Sequence, residues 1–468
     1  MNFSIEAKKI PIFFISVFLS LIFFFYIDNY SYNSFWLSEI TIFIVLLFSV
    51  LFCLFSRTIP SKRLFIYIFF LLTFVFHFSH IILEAINYDF GTNTRNNVFF
   101  RHDDFTVFMA TKRGLIACIG LFLGITTYYT FFKNKLPSPS KQTTFPNRNL
   151  AYILIIIGVI SDFSRYLNLI IEMYSGGYAS VQASIVDSFY GYRLLSYLLL
   201  PGILLLILDK RRSIQKRKHI LYAFILYKFL LMFSGGRAYC LLNIILAVYV
   251  FYKYNDLLKI RFNIKTVFLC FLLIQFIGGG LIGIREARTT GMELSTVIEH
   301  MFDLKSNIVL NLMSEFGITE NVLCVIEKNF QGISHNGVQL LYSFLIIIPG
   351  ISMIAPNLDY KNAFLESNLD IHNYGGSFIG DMLYDFGENG VLLACFMCGL
   401  FFSKLYEWYE KQIDLKNYLS VALFSPIIID FLFCIRSSLA KMPRMISWYV
   451  LIFMFFLILS KLHSFKRN

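Results

Sequence analysis

Long apolar runs recur along the whole of this 468-residue chain, and they limit its fold more than any other feature. Each run has roughly 17–25 residues, the length that an α-helix needs to cross the hydrocarbon core of a bilayer. Charged residues make up only 15% of the chain, whereas soluble globular domains have about 25%. The pattern predicts an all-α polytopic membrane protein and excludes a soluble globular domain.

The hydropathy pattern predicts twelve transmembrane helices, which places both termini on the same side of the membrane. No small-residue cleavage site follows the first run, so it predicts a first span rather than a signal peptide. The expected spans are 10–27, 35–55, 64–85, 114–132, 150–172, 191–208, 219–234, 238–252, 266–284, 391–408, 417–435 and 445–461.

The basic residues indicate which side is which. One side of this topology, which includes both termini, holds 25 of the 41 basic residues, so the positive-inside rule places it in the cytoplasm. The net charge of +12 thus reflects topology and predicts no nucleic-acid partner. The outer side holds ten arginines and five lysines. Because a guanidinium fork binds phosphate or carboxylate through two contacts, these arginines predict an anionic ligand, unless they pair locally, as Arg165 could with Asp162.

The predicted spans divide the chain into three parts. Residues 1–284 hold spans one to nine, 285–390 form one large outer loop, and 391–468 hold spans ten to twelve. In the loop, the charged helical periodicity of 292–330 predicts surface helices. The apolar segment 337–354 is broken by Pro349 and Gly350, which predicts a re-entrant or interfacial element.

The end of this loop, His372–Gly390, is the densest polar run in the C-terminal half of the chain. Its Asp381, Asp385 and His372 are ionisable groups beside a membrane, where such groups usually have a function. The alternative is a capped surface loop that enters a helix, with Asp381 as an acid that stabilises the first turn. The position of this run in the outer loop favours a functional role.

Three motifs carry a resemblance to a known family. They are GGSF-x-G-D-x-x-Y-D-F-G at 375–387, SGGR at 234–237, and IREAR at 284–288. Together with the predicted topology, they resemble the Wzy family, the O-antigen repeat-unit polymerases of Gram-negative inner membranes. The family tends to carry Glu at the position of Asp381 and Asn at the position of Asp385.

The resemblance implies a GT-C-like helical fold and a glycosyltransferase at the periplasmic face. The enzyme would transfer the growing glycan from undecaprenyl diphosphate to a single lipid-linked repeat unit, with no nucleotide sugar, cofactor or metal. It also implies a flippase and a chain-length regulator as partners in the same bilayer.

This chemistry needs a base for the acceptor hydroxyl and cations for the leaving diphosphate. Asp381 is the first candidate base and His372 the second, whereas lone histidines such as His77 and His80 are expected to be packed or hydrogen-bonded. The residues expected to bind the substrates are Arg237, Arg285, Arg288, Arg436, Gly375, Gly376, Ser377 and Tyr384.

Two other functions are open alternatives. An O-antigen ligase has a similar architecture and differs in its acceptor. A flippase for lipid-linked oligosaccharides also has about twelve spans, but transporters commonly have internal repeats, and none is visible here. The motif at 375–387 therefore favours the polymerase.

Overall fold

The computed structural model describes most of the chain, and all regular secondary structure in the described residues is helical. The described residues are 9–60, 63–90, 97–132, 148–164, 166–167, 194–232, 237–257, 278–280, 283, 308–329, 336–355 and 376–465. In chain order, the helices are α1 Ile10–Asn29, α2 Trp36–Thr58, α3 Leu64–Ala85, α4 Val98–Arg101, α5 Asp104–Phe131, α6 148–164, α7 Leu199–Ile207, α8 Ile214–Met232, α9 Arg237–Tyr254, α10 Ile308–Phe316, α11 Glu320–Asn329, α12 Val338–Leu345, α13 Ile351–Ile354, α14 Phe378–Asp414, α15 Tyr418–Phe433 and α16 Met442–Phe465.

Eight helical stretches within these ranges are long and apolar enough to cross a membrane. They confirm an all-α polytopic membrane protein, and seven coincide with predicted spans. The eighth, Val309–Asn329, lies where the sequence predicts surface helices. The count of twelve and the GT-C-like arrangement stay predictions, since most of the expected span 266–284 is outside the described residues.

Local capping explains where α5 begins. The helix starts at Asp104, ten residues before the predicted span at 114. Its N-cap is Asp103, whose carboxylate accepts a hydrogen bond from the backbone N–H of Thr106 at 2.9 Å. Asp is a preferred N-cap residue because its oxygen satisfies an amide that the helix itself leaves unpaired. Hydropathy alone detects only the apolar part of such a helix.

The chain forms two compact units. The first contains Met1–Pro137, Leu310–Glu410 and Phe431–Arg444, and the second contains Ser138–Val309, Lys411–Asp430 and Met445–Asn468. In the first unit most of α5 is buried, and helices α1, α2 and α11 pack on it. The predicted division of the chain at 284 and 390 concerns membrane topology and stays a prediction.

Helix α5 and α14 touch through their backbones. A Cβ atom built on Gly124 would lie 2.1 Å from the carbonyl oxygen of Phe396, and one on Gly120 would lie 2.3 Å from that of Leu392. From the other side, a Cβ on Gly399 would lie 2.4 Å from the carbonyl oxygen of Leu121. Small residues at a four-residue spacing allow such close helix packing in membranes.

Helix α14 is a hairpin with two arms, 378–386 and 388–414. Gly387 between them has φ 68° and ψ −171°, a conformation open only to glycine. A straight helix would hold Phe378 and Phe402 about 36 Å apart, yet their ring centroids lie 5.7 Å apart. The first arm therefore folds back along the second, and its N-terminal end lies deep beside the middle of the second arm.

The second unit contains two buried or half-buried ion clusters. Lys228 of α8 lies 2.6 Å from the carboxylate of Asp162 in α6, and both side chains are buried. Asp209, after α7, is bound by the Nε atoms of Arg148 at 2.7 Å and Arg211 at 2.8 Å. Asp162 is thus the partner of Lys228. The sequence had suggested an ion pair between Asp162 and Arg165, which lies outside the described residues.

Candidate active site

Five of the predicted site residues lie in the first unit, around the first arm of α14. Gly376 and Ser377 precede the arm, Asp381 and Tyr384 are on it, and Arg436 is in the 3₁₀ helix Cys434–Arg436. Arg237 begins α9 in the second unit, where only its backbone is described. The predicted residues that lie outside the described ranges are His372, Gly375, Arg285 and Arg288.

Ser377 immediately precedes the first arm. Its hydroxyl oxygen accepts a hydrogen bond from the N–H of Gly380 at 3.2 Å, as an N-cap serine does. The same oxygen lies 2.7 Å from Nε2 of His77 in α3, and both side chains are fully buried. The predicted site residue Ser377 thus has a side-chain partner on a helix that is 300 residues away in the sequence.

Gly376 brings the chain against the turn that follows α15. Its N–H donates to the carbonyl oxygen of Arg436 at 3.2 Å. A Cβ atom at this position would lie 2.5 Å from the backbone nitrogen of Ser438 and 2.8 Å from the carbonyl carbon of Ser437. Only glycine permits this approach, so Gly376 and Arg436 are brought together by backbone contact.

Asp381 binds the same turn with its side chain. Its carboxylate accepts hydrogen bonds from the hydroxyl of Ser438, at 3.0 and 3.2 Å to its two oxygens, and from the N–H of Leu439. Leu439 begins the 3₁₀ helix Leu439–Lys441. The buried carboxylate therefore caps a turn on a different segment, in addition to its place in the first turn of its own helix.

Asp385 has an equivalent role one turn later. Its two carboxylate oxygens accept from the N–H groups of Gln339 at 2.9 Å and Leu340 at 2.7 Å. These amides belong to the first turn of α12, whose own N-cap, Gly337, has no side chain to offer. The carboxylate satisfies two of the donors that every helix start leaves unpaired.

The two acids lie four residues apart, so they share one face of the first arm. The segments that they hold also touch each other, since Ile346 and Tyr342 pack against Ala440. Two carboxylates, one from each turn of the arm, thus fix a second layer made of α12 and the turn 437–441. This arrangement buries both carboxylates between the first arm and that layer.

Tyr384 and Arg113 complete the surroundings of the arm. Tyr384 is buried on the face that it shares with Asp381, as the helical spacing predicts. At the hairpin tip, the guanidinium of Arg113 lies 2.9 Å from Glu327 and 3.1 Å from Glu388. Arg113 belongs to the ten arginines of the predicted outer side, and it pairs with two carboxylates that are distant in the sequence rather than with a local one.

The geometry bears on what Asp381 does. A general base needs a lone pair within about 3 Å of the hydroxyl that it deprotonates. The carboxylate of Asp381 already accepts from Ser438 and Leu439 within the protein. This favours a positioning role for Asp381 over that of a base, although the catalytic role assigned from the sequence stays a prediction.

A family model described as O-antigen polysaccharide polymerase Wzy matches residues 11–468. The chain belongs to this family. The Wzy match confirms the resemblance drawn from the motifs, and the apolar helices agree with a multi-pass membrane polymerase. No curated protein and no solved structure matches the chain.

Two residues of this candidate site were not predicted from the sequence. His77 was expected to be packed or hydrogen-bonded, which is confirmed, but nothing in the sequence indicated that Ser377 is its partner. Ser438 was overlooked in the short connection between the last two predicted spans, although a Ser before three helix-forming residues is a capping signal. For His77 no signal exists, since an isolated histidine in an apolar helix carries no information about its partner.

Proposed function

We propose that this Wzy-family protein joins oligosaccharide repeat units carried on undecaprenyl diphosphate at the periplasmic face of the inner membrane. The family match over residues 11–468 supports a polymerase of O-antigen polysaccharide. The single observation that carries the site assignment is the first arm of α14, where the motif residues Gly376, Ser377 and Asp381 form one buried cluster.

The leaving group of this reaction is a lipid diphosphate, which gains negative charge in the transition state. Fixed cations next to it lower the barrier because they need not reorganise as the charge develops. We assign this role to Arg436, whose carbonyl oxygen is held by the N–H of Gly376, and to outer arginines Arg237, Arg285 and Arg288. The excess of arginine over lysine on the predicted outer side supports this assignment.

The acceptor sugar hydroxyl needs a positioned base. Ser438 and Leu439 already donate hydrogen bonds to the carboxylate of Asp381, so we assign Asp381 the role of holding the turn next to Arg436. His372, four residues before Gly376 in the sequence, then becomes the first candidate for the base. Tyr384 stays a proposed sugar-binding residue, and the motif glycines let the substrate approach the backbone.

The Asp381→Asn variant separates the two roles of this carboxylate. Loss of a base would lower polymer formation per folded protein roughly 10²–10⁴-fold, far more than any loss of stability explains. Loss of a positioning carboxylate would lower stability and activity together, because a neutral amide oxygen accepts more weakly from Ser438 and Leu439 than a carboxylate does. The measurement is the polymer formed per folded protein, alongside the midpoint of thermal unfolding.

Deletion of the gene tests the function itself. A polymerase predicts that the lipopolysaccharide ladder collapses to a single-repeat product and that the intact gene restores it. Loss of all O-antigen, including the single repeat, would instead support the ligase or the flippase. Fully retained ladders would contradict the whole proposal.

A further inference from the structure

The buried contact between His77 and Ser377 links α3 to the start of the first arm of α14, and neither the family match nor the motifs give His77 a role. We propose that His77 is a positioning residue of the polymerase site: it fixes the Ser377 hydroxyl and, through it, the N-terminal end of the first arm. The link to polymerisation rests on the function proposed above.

The hydrogen-bond partners determine the proton arrangement of His77. Its Nδ1 lies 2.7 Å from the carbonyl oxygen of Thr73, which can only accept, so Nδ1 carries a proton. The ring is fully buried, and a charged imidazolium there would be costly. In a neutral ring with a proton on Nδ1, Nε2 is an acceptor.

Ser377 must therefore donate its only hydroxyl proton to Nε2 of His77, over 2.7 Å. This leaves the lone pairs of Ser377 Oγ directed away from His77, where the N–H of Gly380 donates to one of them at 3.2 Å. One chain of donors runs from Gly380 through Ser377 and His77 to Thr73. It locks the first turn of the arm onto α3 with a defined direction at each bond.

The consequence reaches the proposed site through two neighbours of Ser377. Gly376 binds the carbonyl of Arg436, and Asp381 donates its own N–H to the carbonyl of Ser377 at 2.9 Å. If Ser377 shifts, the backbone at Gly376 and Asp381 shifts with it. The Arg436 carbonyl and the Asp381 carboxylate then change their positions relative to each other. His77 acts on both without any contact of its own with either substrate.

Two substitutions of His77 separate its two nitrogens. His77→Gln places an acceptor near the position of Nε2 and keeps a partner for Ser377. His77→Asn keeps a donor near the position of Nδ1 for Thr73 and removes the acceptor. Ser377→Ala removes the same bond and also the bond from Gly380, so its effect is expected to be at least as large as that of His77→Asn. The double variant is expected to be no worse than Ser377→Ala.

The experiment measures amide hydrogen exchange over 378–386 in the purified full-length protein, together with polymer formed per folded protein. In His77→Asn, exchange should be about tenfold faster and polymer formation about tenfold lower, as expected for one lost buried hydrogen bond. Ser377→Ala should be affected at least as strongly, because it also loses the bond from Gly380. His77→Gln should stay close to the wild type in both. His80, which binds the carbonyl of Ser314 at 2.8 Å, provides the control, and His80→Gln should leave exchange over 378–386 unchanged.

Unchanged exchange in His77→Asn would overturn the proposal. A His77→Gln protein as defective as His77→Asn would also overturn it, because glutamine supplies an acceptor but cannot take up a proton, and such a result would indicate that His77 transfers protons. Because exchange requires no substrate, this readout tests His77 whether or not the protein polymerises glycans. A wild type that makes no polymer would count against the proposed function alone.

Discussion

The backbone contact between α5 and α14 leads to a quantitative prediction for Gly124. A new Cβ would lie 2.1 Å from the carbonyl oxygen of Phe396. Carbon–oxygen contacts in proteins are normally about 3.3 Å or longer, so the helices must separate by about 1.2 Å. Neither helix can yield locally, because the backbones are equally close along the same seam, where a Cβ built on Gly120 or Gly399 would lie 2.3 or 2.4 Å from a carbonyl oxygen.

Gly124→Ala should therefore lower the free energy of unfolding by about 1–3 kcal/mol, the usual cost of overpacking a close-packed interior. The matched control is Gly114→Ala on the same helix. Its Cβ would meet only side-chain ends, Leu323 Cδ1 at 3.3 Å and the Phe78 ring at 3.4 Å. Since alanine favours a helix over glycine by about 1 kcal/mol, this control should be neutral or stabilising.

Both variants can be compared by thermal unfolding of the purified protein in detergent, and their ladders by gel. The second arm of α14 is joined to the first arm, around which the candidate site lies. We therefore expect Gly124→Ala also to shorten the glycan chains. Equal melting midpoints for the two variants would refute the close approach of the backbones. A stabilised Gly124→Ala protein would refute it outright.

Three further predictions concern single contacts. Asp385→Ala should destabilise the protein by about 1–2 kcal/mol, measured by thermal unfolding, because two amides at the start of α12 lose their cap. Lys228→Ala should cost about 3–5 kcal/mol because it strands the buried Asp162, and the added Asp162→Leu should recover most of this in the same assay. Burial alone would raise the pKa of Asp209, but hydrogen bonds from Arg211 and Arg148 lower it to about 2. The carboxylate thus stabilises the fold above its ordinary pKa of 3.8 and loses this effect as the pH falls towards 2. The melting difference between wild type and Asp209→Asn should be constant from pH 5 to 8 and shrink below pH 4.

The helices were the part of the fold that the sequence predicts best. The span predicted at 64–85 has the bounds of α3, Leu64–Ala85, because apolar length decides where a membrane helix lies. The reversal at Gly387 was not predicted. Polar residues around it suggested a loop, whereas the two arms are helical on both sides of one glycine.

In the candidate site, the sequence likewise predicted individual residues but not their contacts. Motif residues Ser377 and Asp381 were identified from local spacing, but their partners are 300 and 57 residues away in the sequence. Contacts at such separations depend on how helices pack, and a single sequence contains no periodic signal for them. Asp385 was not among the expected base or substrate-binding residues, and its partners in α12 are likewise 45 and 46 residues away in the sequence.

The central claim, that this Wzy-family protein polymerises lipid-linked repeat units, is tested most directly by reconstitution. Purified protein in lipid vesicles would be supplied with a single oligosaccharide repeat on undecaprenyl diphosphate, and the products would be sized by mass. The account predicts a series of longer glycans that differ by whole repeats and remain on undecaprenyl diphosphate, without any nucleotide sugar. Conversion only after a nucleotide sugar is added, or transfer of the single repeat to lipid A without lengthening, would contradict it.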